Sequence, residues 1–352
     1  MKTDLTVRHL KPDEYSLWDA FVASSPDGSL YATSGYLDVF CRVTSAKFKI
    51  LAALKNDEIF GGVAVYERNF FLGTFVSPRL LLYYNGLIMK DFTGKYPSKQ
   101  TSRRNEVMSA LENHLSQKKY ARLFLHNRST VRDVRVFQKQ GWGVNIGYTY
   151  VVPLKDLSSL WNRTEQNLRR LINRCSQQDV RFSADDDFDS FYRMHLNTRH
   201  RKGISLYLPR ESFKQYFERL SSLGLCRLYF ARLPGGRPVS TQLVLLGKHP
   251  VSHTVCAAGD PEYLKWGVNP FLRWKVFEDL SKQGYEANDL TDATLNSVSR
   301  FKSQLGADLE LCLNIRKKDS AVFRIRENSR IILSRQKNKL AKLRCKSILN
   351  HS

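Results

Sequence analysis

Lys302 is the residue whose type and setting best suit chemistry. It follows an aromatic, Phe301, within residues 294–307, TLNSVSRFKSQLGA. Those residues hold a short expected helix between a strand over 286–290 and a closing strand over 309–315. If the two strands lie side by side, the ammonium faces a cleft rather than open water, where a cation can stabilise developing negative charge. Asp289 ends the earlier strand. It could relay a proton, position Lys302, or simply cap the turn with Thr291 and Asp292. The bland reading of Lys302 is a solvated helix lysine.

Other reactive types form no constellation. His195, His200 and His253 lack metal-ligand spacing, and no carboxylate completes one. The six cysteines, Cys41, Cys175, Cys226, Cys256, Cys312 and Cys345, are far apart and show no CxxC spacing. That argues against a zinc site or disulfide framework and for a reducing cytoplasm. Cys256 reads as a small core residue, because no base is implied beside it. A metal- or nucleophile-dependent hydrolase therefore has no support.

The elements that position Lys302 come in a repeated order. Helices over 12–24 and 33–43 precede strands over 48–54, 59–66 and 80–88, with Asn56-Asp57 as a hairpin turn. A helix over 103–118, a strand over 121–125, a helix over 131–140 and a strand over 148–154 follow. A long amphipathic helix over 157–175 connects to the second half, which opens with a strand over 180–182. Helices over 188–198 and 209–223 precede strands over 226–233, 239–246 and 251–258. A helix opens at Gly267-Val268-Asn269-Pro270 and ends at Gly284, and the strand, helix and strand around Lys302 complete the order. The same α/β unit thus occurs twice, about 150 residues apart. The expected domains are 1–155 and 156–316, with a basic helix over 317–352.

With 352 residues and 42% hydrophobic content, the chain can fill two ordinary cores. The net charge of +23 attracts polyanions such as RNA, acidic proteins or anionic lipid. Nearly half of it lies in residues 316–346, where twelve Lys and Arg face two acidic residues. No h-region follows Met1, and no apolar run is long enough to span a bilayer.

This order, a helix pair, a three-strand meander and then helix-strand-helix-strand, resembles the GNAT acyltransferase fold. Two copies in one chain resemble the Fem-type peptidoglycan-bridge aminoacyltransferases and related double-GNAT acyltransferases of bacterial envelope biosynthesis. The residues carrying the resemblance are the basic helix 167–174 (NLRRLINR), the stretch 198–203 (TRHRKG), the Gly267-Val268-Asn269 turn, Asp289-Leu290, and Arg300-Phe301-Lys302 with Gly306-Ala307.

The resemblance implies a transferase that moves an acyl or aminoacyl group from an activated ester or thioester to an amine on a cell-envelope precursor. By that analogy Lys302 is catalytic, with Asp289 beside it. Arg201, Arg199, Phe301 and Tyr36 bind substrate. Backbone N–H groups near residues 256–258 face the oxyanion. Gly267, Val268 and Asn269 bind donor phosphate at a helix N-terminus, whose N–H groups are unpaired and whose dipole is positive. No metal and no tightly bound cofactor are implied. The co-substrate is aminoacyl-tRNA, acyl-CoA or an acyl carrier protein, and the setting is cytoplasmic, with peripheral contact at the inner membrane face through the basic tail.

The chain departs from the usual acetyl-CoA loop. Leu264-Lys265-Trp266-Gly267-Val268-Asn269 stands where Arg or Gln, two residues, Gly, one residue, then Gly or Ala are usual. It also has Phe40 and Cys41 after Tyr36, where Fem enzymes tend to carry a lysine. A non-catalytic GNAT-fold protein that binds RNA or anionic lipid is the alternative.

Overall fold

Asn56 and Asp57 both take left-handed backbone, φ 49° and 64°. The chain reverses tightly there, and the apolar runs on either side pair as antiparallel strands, Lys47–Lys55 and Glu58–Phe70. The computed structural model describes residues 5–79, 81–203, 206–321 and 323–325. The first half comprises β1 (Thr6–His9), α1 (Tyr15–Ser24), α2 (Ser34–Thr44), β2 (Lys47–Lys55), β3 (Glu58–Phe70), β4 (Gly73–Val76), β5 (Leu87–Met89), α3 (Pro97–Gln117), β6 (Arg122–His126), α4 (Arg135–Lys139) and β7 (Gly143–Pro153). The second comprises α5 (Leu157–Arg163), α6 (Gln166–Ser176), β8 (Arg181–Ala184), α7 (Phe188–Arg201), α8 (Arg210–Ser222), β9 (Cys226–Arg232), β10 (Pro238–Leu245), β11 (Val251–Gly259), α9 (Val268–Lys282), β12 (Ala287–Asp289), α10 (Ser297–Ser303) and β13 (Asp308–Arg316).

The element order does repeat, but the halves are interleaved. One sheet runs β1-β2-β3-β4-β6-β13-β7-β12-β11-β10-β9-β8, with β5 added on β3. The last strand of each half has crossed over: β13 pairs with β6 of the first half, and β7 pairs with β12 of the second. The strands flanking Lys302, β12 and β13, are therefore not neighbours as expected; β7 lies between them. Each half alone would leave an unpaired sheet edge, and the exchange satisfies both with nine consecutive β7–β13 residue pairs.

Three local expectations change. The strand expected over 80–88 is not one strand: among the described residues only an isolated Arg79–Leu82 bridge lies between β4 and β5. The connector helix over 157–175 breaks in two. Thr164 is extended there (φ −68°, ψ 133°), and Glu165 N–H donates to Gln304 O at 2.9 Å rather than continuing the helix. The helix expected over 131–140 contracts to α4. Beyond Ile325, the basic C-terminal helix expected over 317–352 lies outside the described residues.

The halves share a core. Tyr36 and Phe40 of α2 pack with Phe213 and Tyr216 of α8, all fully buried. Tyr36 Oη and Tyr216 Oη are 3.1 Å apart. Each such ring contributes roughly 1.5–3 kcal/mol through burial, so separating the halves is costly. Among the described residues, no helix is long and apolar enough to cross a membrane.

Candidate active site

Asn296 starts α10 by accepting the Ser299 N–H at 2.9 Å. Successive helix residues point about 100° apart, so Phe301 and Lys302 face different surroundings. Phe301 lines a cavity, while Lys302 Nζ donates to the carbonyls of Thr291 and, at 2.6 Å, Asp292. Both of those residues take left-handed backbone, φ 52° and 45°. Two consecutive non-glycine residues there store strain that the surroundings must hold. Asp289 holds it: its Oδ1 accepts the Thr291 N–H at 2.8 Å.

Asp289 is itself fully buried and ties the halves together. Its Oδ2 accepts from Tyr84 Oη at 2.7 Å, and its Oδ1 from Thr149 Oγ1 at 2.6 Å. Burial works against the carboxylate, but the His253 imidazole and the two hydroxyls outweigh it and hold Asp289 well below the usual carboxylate range. His253 Nδ1 is 3.6 Å away. Burial pushes that imidazole down, toward the neutral form. An anion so well satisfied is a poor proton acceptor. Asp289 shapes the turn that receives Lys302, which is the capping alternative open from the sequence.

Burial first, and then the charge of Arg273, push Lys302 down to about 8, against the pull of Asp292 and Asp289. It is cationic at neutral pH, yet loses its proton within reach of ordinary assay conditions.

The cavity, about 260 Å³, opens where β11 and β12 part. These strands pair only over Val251–His253 and Ala287–Asp289, so Ala257, Ala258 and Gly259 line the space instead of a ladder. Thr198, Arg201 and Lys202 approach from the end of α7, Ser297, Val298 and Phe301 from α10, and Asn269 and Arg273 from α9. Of the residues named from the sequence, Arg201, Phe301 and Asn269 therefore meet in one cavity. Arg199 stacks over Tyr207, 4.5 Å from the ring centre. Tyr36 lies in the shared core and does not line the cavity.

Gly267 and Val268 also fall outside it. Gly267 has φ 85°, and a Cβ there would lie 2.6 Å from the Leu171 carbonyl of α6; Val268 is fully buried. Gly267→Ala is expected to destabilise the protein by about 1–3 kcal/mol, through left-handed strain and displacement of α6, read as a lower midpoint in chemical denaturation. Arg273 was not singled out from the sequence. It sits one turn after Asn269 on a helix whose neighbouring residues are apolar, and a charge at a core-facing position was the available signal.

By sequence, residues 162–303 match the profile of the acetyltransferase (GNAT) domain. The second half of this chain is built on a GNAT domain. No curated protein sequence matches the chain. Among solved structures, FemX is similar at TM-score 0.66 with 14% identity, over 88% of this chain and 96% of that one. The C-terminal domain of a putative lysylphosphatidylglycerol synthetase from Agrobacterium fabrum is similar at 0.56 with 9% identity, over 92% and 98%. A tandem GNAT protein from the clavulanic acid pathway is similar at 0.51 with 9% identity, over 90% and 99%. What the chain shares with these structures is the fold.

The two GNAT-like halves differ at the strand gap. In the first, β4 and β6 pair over Phe75–Val76 and Arg122–Leu123, and the segment leading into β5 fills the space beyond. Asn85 N–H donates to His126 O at 3.2 Å, and Leu87 N–H to Asn127 Oδ1 at 2.8 Å. A Cβ on Gly86 would lie 2.6 Å from Asn127 Cα. Backbone occupies in the first half the place that is cavity in the second.

Proposed function

We propose that this protein transfers an acyl or aminoacyl group from an activated ester or thioester to an amine on a cell-envelope precursor, using the second half as its catalytic unit. Residues 1–155 and 156–316 are the two units, each completed by the other's last strand. The observation that carries this reading is Lys302: a cation of lowered proton affinity, held by two carbonyls, on the helix whose Phe301 lines the strand-gap cavity. An ammonium has three N–H donors, and two are committed to the turn. The third has no partner among the described residues; Lys302 does not itself line the cavity, so in this reading the ammonium reaches the oxyanion by turning toward it.

In the reaction, the acceptor amine attacks the donor carbonyl carbon and a C–N bond forms. The carbonyl electrons move onto oxygen, where the Lys302 ammonium stabilises them. Collapse breaks the C–O or C–S bond. The leaving alkoxide or thiolate takes up the proton that the amine loses. Arg201 and Lys202 lie at the α7 end of the cavity, where they receive an anionic acceptor, and Asp289 acts by holding the turn.

The likeness to FemX and to the lysylphosphatidylglycerol synthetase domain supports an envelope acceptor and an aminoacyl-tRNA donor. The GNAT profile supports a thioester donor, acyl-CoA or acyl carrier protein. The net charge of +23 suits either polyanionic or acidic donors. The test is a donor screen: purified protein with mixed aminoacyl-tRNA in one arm and acyl-CoA and acyl carrier donors in the other, following amine-dependent loss of the activated ester. Loss of ester in either arm, absent with Lys302→Ala, identifies the donor. Salt-dependent tRNA binding without turnover in any arm would instead favour a non-catalytic polyanion-binding protein.

A further inference from the structure

Arg273 is more than nine-tenths buried, 7% exposed, and its Nε and Nη1 have no hydrogen-bond partner among the described residues. A desolvated guanidinium without a carboxylate is among the least stable arrangements a core can hold. Its position explains the tolerance. It lies on α9 one turn beyond Asn269, and both side chains line the cavity together with Gln242 and Ser240 of β10. Ser240 Oγ donates to Asn269 Oδ1 at 2.8 Å, which leaves the guanidinium as the strongest unsatisfied donor at the cavity wall. Gln242 Oε1 is likewise unpaired. The usual anion position at the start of α9 is closed, because the Leu171 carbonyl sits over Gly267 and Pro270 has no N–H to offer.

We propose that the cavity binds a phosphate-bearing ligand through Arg273, one helical turn inside the closed N-terminus of α9. Planar guanidinium and phosphate match in a bidentate pair, and burial strengthens the pair by excluding water. This inference rests on the transferase reading only for the ligand's role as donor. Phosphate is common to the two candidate sources, a phosphopantetheine arm and the 3′ end of a tRNA. Burial lowers Arg273 only to about 10, so it is charged when the ligand arrives. Its charge is also among the causes that depress Lys302, so an anion at Arg273 would relieve the repulsion and raise the proton affinity of the lysine.

The experiment compares the full chain with Arg273→Gln and Arg273→Lys by calorimetry and thermal denaturation. Probes are 4′-phosphopantetheine against pantetheine, and the dinucleotide CpA against its separate nucleosides. The phosphorylated member of one pair is expected to bind the wild type and raise its midpoint, with binding about tenfold or more weaker in Arg273→Gln and partly kept in Arg273→Lys. Which pair responds identifies the source. Without ligand, Arg273→Gln is expected to be at least as stable as the wild type, and Lys302 to titrate above its wild-type value by NMR. Equal binding of phosphorylated and unphosphorylated probes, equal binding by wild type and Arg273→Gln, or loss of stability in both variants without ligand would overturn the proposal. Because binding is read without turnover, a failed donor screen with intact Arg273-dependent binding would reject the transferase reading and leave this one standing.

Discussion

Lys302→Ala is expected to lower turnover by about 10²–10³-fold, the usual cost of removing one oxyanion donor, with little change in the denaturation midpoint. The stability expectation follows from its setting. The ammonium is a partly buried cation beside Arg273, so its loss removes a repulsion as well as two hydrogen bonds to carbonyls. The wild type should also show a pH signature. Lys302 is depressed to about 8, mainly by burial, so the rate should hold below that pH and fall above it as the ammonium is lost. The residual activity of Lys302→Ala should lack that limb. A rate insensitive to the substitution would remove Lys302 from the chemistry, whatever its geometry.

Asp289→Ala is expected to cost about 3 kcal/mol in chemical denaturation, because it leaves the hydroxyls of Tyr84 and Thr149 and the N–H of Thr291 without an acceptor in a buried space. Tyr84 and Thr149 belong to the first half and Asp289 to the second, so the loss falls on the joint between them. Turnover should fall too, since Thr291 and Asp292 would leave the left-handed conformation that presents their carbonyls to Lys302. Asp289→Asn separates charge from shape. The folded carboxylate titrates below its unfolded value, so its contribution is full above about pH 4 and is lost as pH falls toward the depressed folded value. That acid limb should be absent in the amide variant, whereas a limb unchanged by Asp289→Asn would show that the carboxylate is not held as an anion.

Local physics made much of this legible. The Asn56-Asp57 turn, the caps at Gly267 and Gly284 and the apolar runs of β9 to β11 each follow from spacing and backbone preference, and together they disclosed the repeated unit. Phe301 and Lys302 could be placed on a short helix that ends ahead of Gly306. The connector helix was misjudged because its apolar period continues smoothly through Thr164 and Glu165. What breaks it is a hydrogen bond to Gln304, a partner 139 residues away, which periodicity does not encode.

By itself the sequence determined the α/β character, the duplicated order and the helix that carries Lys302, because these depend on contacts between residues near one another in the chain. Only the tertiary structure decided that β7 and β13 change places, that Asp289 accepts from Tyr84 and Thr149 of the other half, that α6 closes the start of α9, and that Arg273 Nε and Nη1 at the cavity are left without a partner among the described residues. Strand pairing and charge satisfaction depend on which segments meet after the chain has folded, and residues far apart in sequence have no spacing from which to read that.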